Sequence, residues 1–579
     1  MANGKSTSRV LIPVLIVIAL GVVGFLIFNC IRGQQTASGG QGGRVATILA
    51  VNDIYRVDGV GKDEIGGLHR LRTLRNDIEK KSGKVLLLHA GDFLSPSLEG
   101  RVFKGEHMVD AMNNLDGDPK KFDTRMFVAF GNHEFDDSDC NKSPAPLMAR
   151  LNESQFTWLN VNLDFSNCAS MKDVMAHKNV KRTAIVELNG IKFGIFGIGL
   201  TPDPKDSKKH PKFGDPYEAA RAAIEELKAK KVDVIAAVTH LERADDEVLL
   251  RSLSEYGLDL IIGGHEHEKM TIDDAKGVTR GFKSDSDAKT ARIIVIEKPA
   301  KAGERATIKG DDLRSLKETD IPEKLKVVRD KAMATLAKKW SDKAAAKICA
   351  DRKKAGRKPN GLDCLQKEAG VAQFPIELEE KENRNTETAF GRWIAEAVRK
   401  ATQADVAIVG AGSLGLNTNL EKGAMLRLEQ VVDIFRFDDV IAVREVPMST
   451  VCKMLQHGFA KPGSGAWPHL AGLKADGPSS TPAEILTKWT KKDGIKRDDG
   501  TAFDCENNND KVKVASSPYL LCGGDDYPFK AEEGDKCQGN LKDKPMDRPK
   551  YPAGRLISAI AEQTITNDNG LKMPPDPGE

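Results

Sequence analysis

The chain has 579 residues, 40% hydrophobic and 30% charged, which calls for two or more globular domains, each with its own core. Its 87 basic and 84 acidic residues leave a formal charge of +3. That near-balance excludes a dedicated nucleic-acid binder, which normally carries a strong basic excess.

At the N-terminus, Lys5 and Arg9 precede an uncharged apolar run from Val10 to Ile31. At about 1.5 Å rise per residue, such a helix spans a hydrocarbon core of roughly 30 Å. A cleaved signal has a shorter apolar region of about 7–15 residues. One hydrophobic anchor helix is therefore expected, an uncleaved signal-anchor; the alternative is a cleaved signal whose site hides in QTASGG. Either way the rest of the chain is expected outside the cytoplasm, at the cell surface or in the periplasm if anchored, and secreted if cleaved. Eight cysteines follow the apolar run, and an even set in an exported chain points to disulfides. Sequence proximity suggests Cys140–Cys168, Cys349–Cys364 and Cys505–Cys537. The absence of any CxxC pair argues against a structural zinc site.

Residues 33–43 read as a flexible Gly/Gln-rich tether, so 1–43 form anchor and tether. From 44 to 300, short apolar runs alternate with amphipathic stretches such as Pro216 to Lys230, the pattern of an α/β domain with mostly buried strands. Residues 301–375 are rich in Lys, Asp and Ala, and Ile321 to Lys343 reads as one long charged helix, a connector between domains. A second α/β region is expected over 376–579, with strands in VAIVG, VIAVREV and VKVASSPYLL. Its Pro- and Gly-rich segment 461–512 reads as long loops.

Five strand-like runs of the first domain each end on a potential ligand. TILAVN leads to Asp53, KVLLLHAG to Asp92, MFVAFG to Asn132 and His133, DVIAAVT to His240, and LDLIIGG to His265 and His267. In an open α/β sheet, ligands bind beyond the carboxyl ends of the strands, so these side chains are expected to converge on one crevice. A single histidine after a strand is more often a loop residue; five coordinated instances are not. Oxygen and imidazole donors without thiolates favour Mn, Zn, Fe or Mg over copper. Two such ions about 3.5–4 Å apart sharing a carboxylate can activate water and clamp a phosphoryl group in transfer. Metal-assisted hydrolysis is the reaction class implied.

In order, VNDIY, HAGDF, AFGNHEFDD, VTHLER and GGHEH resemble the motifs of the calcineurin-like metallophosphoesterases, and the whole chain resembles their 5'-nucleotidase branch. The resemblance implies a four-layer N-terminal domain, two sheets flanked by helices, and a C-terminal α/β substrate-binding domain. It implies two divalent ions (Mn, Zn, Fe or Co), the first held by Asp53, Asp92 and His267 with Tyr55 at the family's histidine position. The second would take Asp92 as bridge with Asn132, His240 and His265. His133 would face the phosphoryl group as general acid, its other ring nitrogen held by Asp136, because a carboxylate favours the imidazolium form. In the second domain Arg384 would meet the substrate's anionic group, Phe437 and Tyr519 would stack on a nucleobase, and Asp525 would contact the ribose. Core packing explains Phe437 and Tyr519 equally well.

The substrate expected is a small-molecule phosphoester with a nucleotide as default, and the membrane is a partner only through the N-terminal helix. Three departures stand against this. Gly410 and Gly415 replace the family's usual Asn and Arg, and Arg427 or Arg436 are the candidates to compensate. Tyr55 could bind trivalent iron as a phenolate, hydrogen-bond a water in the ligand position, or leave the first site weak. The rival readings are a surface binding protein on the same scaffold without turnover, and a hydrolase of a non-nucleotide ester.

Overall fold

The computed structural model describes residues 44–528 and 557–568, apart from 62–64, 141–144, 201–210, 302, 320–321, 355–363, 366, 438, 478 and 492–493. The expected anchor and tether, 1–43, lie outside the described residues. Among the described residues no helix is long and apolar enough to cross a membrane.

All five expected strands form. Val45–Val51, Val85–His89 and Met126–Ala129 run parallel in a seven-stranded sheet, followed by Thr157–Leu159 and Val180–Lys181. Val234–His240 and Leu260–Gly263 run parallel in a six-stranded sheet with Ile191–Gly199 and Thr279–Lys283. Near-continuous apolar runs are what strands covered on both faces require. Ile48, Ala50, Leu86, Leu88 and Phe127 of the first sheet share one core with Phe193, Ile195, Ala236, Val238 and Ile262 of the second. Outside the first sheet, Leu49, Leu87 and Val128 pack on the helices Leu68–Ser82 and Glu106–Asn113. Outside the second, Phe196, Ile235 and Ile261 pack on Pro216–Ala229 and Arg243–Leu253. The order helix, sheet, sheet, helix is the expected four-layer domain.

The first sheet runs past residue 300. Thr307–Ser315 pairs antiparallel with Thr290–Glu297 as its edge strand, and its alternation of half-buried and exposed positions disguises it as a charged connector. The long helix occupies Lys331–Lys354, ten residues later than the expected start at 321. Met333 and Ala337 at one end of it join the first core, and Cys349 near the other joins a core of the second α/β region.

That second region holds a four-stranded sheet in the order Ala442–Pro447, Lys511–Ser516, Val406–Gly410, Pro468–Ala471. The helix Ala389–Thr402 covers one face through Trp393, Ile394 and Val398. The helices Met448–Phe459 and Pro482–Thr490 cover the other. The segment 461–512 is therefore not a set of long loops. Pro468–Ala471 pairs with Val406–Gly410, and a capping box of Thr481 and Glu484, with Pro at the first turn, starts the helix after it.

Cys140–Cys168 and Cys349–Cys364 are bonded as expected, whereas Cys505 is bonded to Cys452 rather than to Cys537. The helix carrying Cys452 docks on the loop before Lys511, where Ser449 N donates to Asn507 O and Ser449 Oγ to Asn508. Sequence distance said nothing of that contact.

Candidate active site

The five strand ends meet at one place. Donor atoms of Asp53, Asp92 and His240, all buried, lie within 4.8 Å of one another and could hold a metal ion. His240 Nδ1 donates to the carbonyl of Ala90 at 2.7 Å, and its Nε2 faces Asp92 Oδ2 and Asn132 Oδ1, each at 3.1 Å. His265 stands edge-on to His240, ring centroids 5.2 Å apart, and its backbone N–H donates to Asp53 Oδ2 at 2.9 Å. His267 Nε2 lies 3.3 Å from Asp53 Oδ1 and 2.8 Å from the Tyr55 hydroxyl. That hydroxyl is also 3.3 Å from Asp53 Oδ1 and 3.4 Å from Asp92 Oδ2, so Tyr55 faces the donors and not solvent.

Four of these residues hold positive φ: Asp53 (52°), Asp92 (59°), His265 (89°) and His267 (62°). Non-glycine residues there cost roughly 1–2 kcal/mol each, and such strain collects at functional sites. Gly131 makes the crowding possible, since a Cβ on it would stand 2.1 Å from Asp92 Oδ1.

Two adjoining buried carboxylates need compensation. Burial alone would raise Asp53 and Asp92, but His267 and His240 for Asp53, and His240 and His133 for Asp92, hold both below the usual range. In turn Asp92 and Asp53 overcome burial and raise His240 to about 10. His265 goes the other way, to about 3, through burial and the nearby His240. A metal ion would replace the protons on this cluster, and the oxygen and imidazole donors fit a divalent ion.

His133 Nδ1 lies 2.9 Å from Asp136 Oδ2, which also accepts from Ser95 Oγ at 2.9 Å. Its Nε2 points back to Asp92 Oδ2 at 4.0 Å. Burial opposes its charge, yet Asp136 and Asp92 raise its pKa.

The second region contributes from above. The Phe437 ring lies 6.4 Å from that of His133. Arg384 is half-buried and donates to Glu380 Oε1 at 2.6 Å. Arg436 Nη1 reaches the same oxygen at 2.6 Å, and its Nη2 donates to Asn417. A Cβ on Gly415, which has φ 152°, would meet the Arg436 guanidinium at 2.7 Å, so a larger residue there would displace it. The Tyr519 hydroxyl donates to Asp525 Oδ1 at 2.8 Å. The loop 461–465 links them to Arg384: Lys461 donates to Asp525 O, and Gly463 N to Arg384 O.

Two family models divide the chain as this geometry does. Residues 46–269 match the calcineurin-like phosphoesterases and residues 368–532 the 5'-nucleotidase C-terminal domain. The chain belongs to the 5'-nucleotidase branch of the calcineurin-like phosphoesterases. As a member it is a metal-dependent phosphoester hydrolase. It is 23% identical to a 5'-nucleotidase of Vibrio parahaemolyticus over 83% of this chain and 84% of that protein. It is 24% identical to the trifunctional nucleotide phosphoesterase YfkN of Bacillus subtilis, over 83% of this chain but only 32% of that longer protein. The crystal structure of a 5'-nucleotidase precursor from Thermus thermophilus has the same fold, with a TM-score of 0.69 at 18% identity, covering 92% of this chain and 98% of that one.

Three further side chains of this family site are absent from the sequence reading. The buried carboxylate of Glu134 accepts backbone N–H groups from Asp92, Phe93, Leu94 and Gly131 at 2.6–3.3 Å, fastening two ligand loops together; it lies inside GNHE, so the motif offered a signal. Lys283 ties the loops behind His240 and His265. Glu380 bridges Arg384, Arg436 and His267, and nothing in its acidic run ELEEKE marks it off from a solvated surface.

Proposed function

We propose that this chain is an exported, dinuclear-metal phosphoester hydrolase that releases phosphate from nucleotides or related phosphoesters. The observation that carries the reading is the convergence of strand ends from two sheets on Asp92, with Asp53 and His240 in ligating distance. Asp53, Tyr55, Asp92 and His267 would hold one ion, and Asp92, Asn132, His240 and His265 the other. When bound, divalent ions supply an activated nucleophile at neutral pH and neutralise charge on the phosphoryl oxygens. The remaining work falls to side chains. His133, with Nδ1 on Asp136 and Nε2 toward the site, holds a proton for the leaving oxygen. Arg384 meets the substrate anion, and Phe437, Tyr519 and Asp525 receive the nucleoside. The name 5'-nucleotidase carried by relatives supports a nucleotide as default substrate. Bonded cysteines support an oxidising compartment, and the apolar run at 10–31 supports a membrane anchor that leaves the domains outside the cytoplasm.

The test is to purify the chain, assay phosphate release with Mn, Zn, Fe or Co, and compare AMP, cyclic nucleotides, nucleotide sugars and an aryl phosphate. Turnover of AMP bears the reading out. Turnover of the aryl phosphate alone keeps the chemistry and removes the nucleotide pocket. No turnover of any ester leaves the rival reading, a binding protein on the same scaffold.

A further inference from the structure

Glu380 begins the short helix Glu380–Asn383 of the second region, yet its carboxylate reaches the metal centre of the first. Oε2 lies 2.9 Å from His267 Nδ1. Oε1 takes two guanidinium contacts, from Arg384 Nη2 and Arg436 Nη1, each at 2.6 Å. The side chain is only 8% exposed and that of His267 7%, so the contact is shielded from water. His267 turns its other nitrogen, Nε2, toward Asp53 and Tyr55. A metal-ligating histidine needs its free ring N–H held by an acceptor, which fixes the tautomer and the ring plane. His240 finds that acceptor in Ala90 of its own domain; His267 Nδ1 has a carboxylate oxygen of the other region at ion-pair distance.

We propose that Glu380 is a positioning residue for the metal centre, supplied across the domain interface, that aims His267 Nε2 at the first metal position. Retention of that ion then depends on contact between the two regions, and Arg384 and Arg436 pin the carboxylate in place. This rests on the two-ion reading above.

The test titrates the metal-free full chain with Mn2+ or Zn2+ against a chromophoric chelator. Wild type should bind two ions. Glu380→Ala should weaken one by about 10–100-fold and leave the other within about threefold. Glu380→Gln, whose amide oxygen still accepts from Nδ1–H, should recover most of that loss. Should Glu380→Ala fail to fold, Glu380→Asp, which withdraws the carboxylate but keeps its charge, must show the same loss at one ion. Wild-type affinity for both ions in Glu380→Ala, or in Glu380→Asp in its place, overturns the inference. A wild-type chain that binds no ion overturns the two-ion reading, and the inference with it.

Discussion

At Tyr55, burial first and then Asp92 and Asp53 push the phenol well above its ordinary pKa near 10, so the metal-free chain carries it neutral. Its hydroxyl sits among Asp53, Asp92 and His267, where the family's histidine would ligate. Tyr55→His should therefore bind one of the two ions more tightly and raise turnover; unchanged affinity would remove residue 55 from the site. His133 gives a pH prediction. Against burial, Asp136 and Asp92 raise its pKa, so its proton is available below that value and is lost as pH rises through it. Asp136→Asn should shift the alkaline limb of kcat to lower pH, and His133→Ala should cut kcat by about 10²–10⁴-fold with metals retained. His240 and His267, raised against burial to about 10 and about 9 by the carboxylates facing them, are protonated at neutral pH without metal. Metal binding at pH 7 should thus release protons, measurable by calorimetry in buffers of different ionisation enthalpy; a buffer-independent heat would contradict the assignment. Asp53, Asp92, Asn132, His240, His265 and His267 were legible as residues because each ends or follows a buried strand. Glu380 was not, because His267 lies more than a hundred residues away in sequence and the acidic run around Glu380 reads as a solvated surface.

Elements deliver these side chains, and one buried ammonium braces them. Lys283, ending the strand Thr279–Lys283, donates to Leu241 O and Gly264 O at 2.9 Å and pairs with Glu266 at 2.5 Å and Asp246 at 2.9 Å. It joins the loops behind His240 and His265. Removing one partner of a buried pair costs about 3–5 kcal/mol, so Lys283→Met should lower urea stability by that order. Lys283→Met with Asp246→Leu should recover part of it, since the fully buried carboxylate is then gone and the one left without its ammonium, Glu266, is open to water; a double variant as weak as the single would assign the loss to the loops alone. Strand periodicity foretold which runs are buried, but not the positive φ of Asp53, Asp92, His265 and His267, because left-handed backbone in Asp and His is imposed by tertiary contacts. The edge strand Thr307–Ser315 and the elements within 461–512 were hidden for a related reason: a half-exposed strand, a buried strand as short as Pro468–Ala471 and a Pro-started helix do not carry long apolar runs.

Across the two regions, polar contacts stand beside an apolar one, Leu98 of the first packing into a core of the second. Arg56 pairs with Asp433, Arg101 donates to the carbonyls of Val432 and Phe435, and Asn417 donates to Asp287. Interfaces of this kind permit relative domain motion, which a substrate-carrying second domain needs. Arg56→Ala with Arg101→Ala should enlarge the radius of gyration by small-angle scattering and raise KM for AMP more than for an aryl phosphate. An unchanged radius would assign the engagement to the helix Lys331–Lys354 instead. The two-domain plan was legible because each region has its own strand pattern; their contact was not, because it is built from dispersed charges. The proposed chemistry requires that Asp92 be shared by two ions. The decisive measurement is the metal content per chain of wild type, Asp53→Asn and Asp92→Asn side by side. Two equivalents in wild type, about one in Asp53→Asn and none in Asp92→Asn are predicted from ligand sharing; an Asp92→Asn chain that keeps both ions would contradict it.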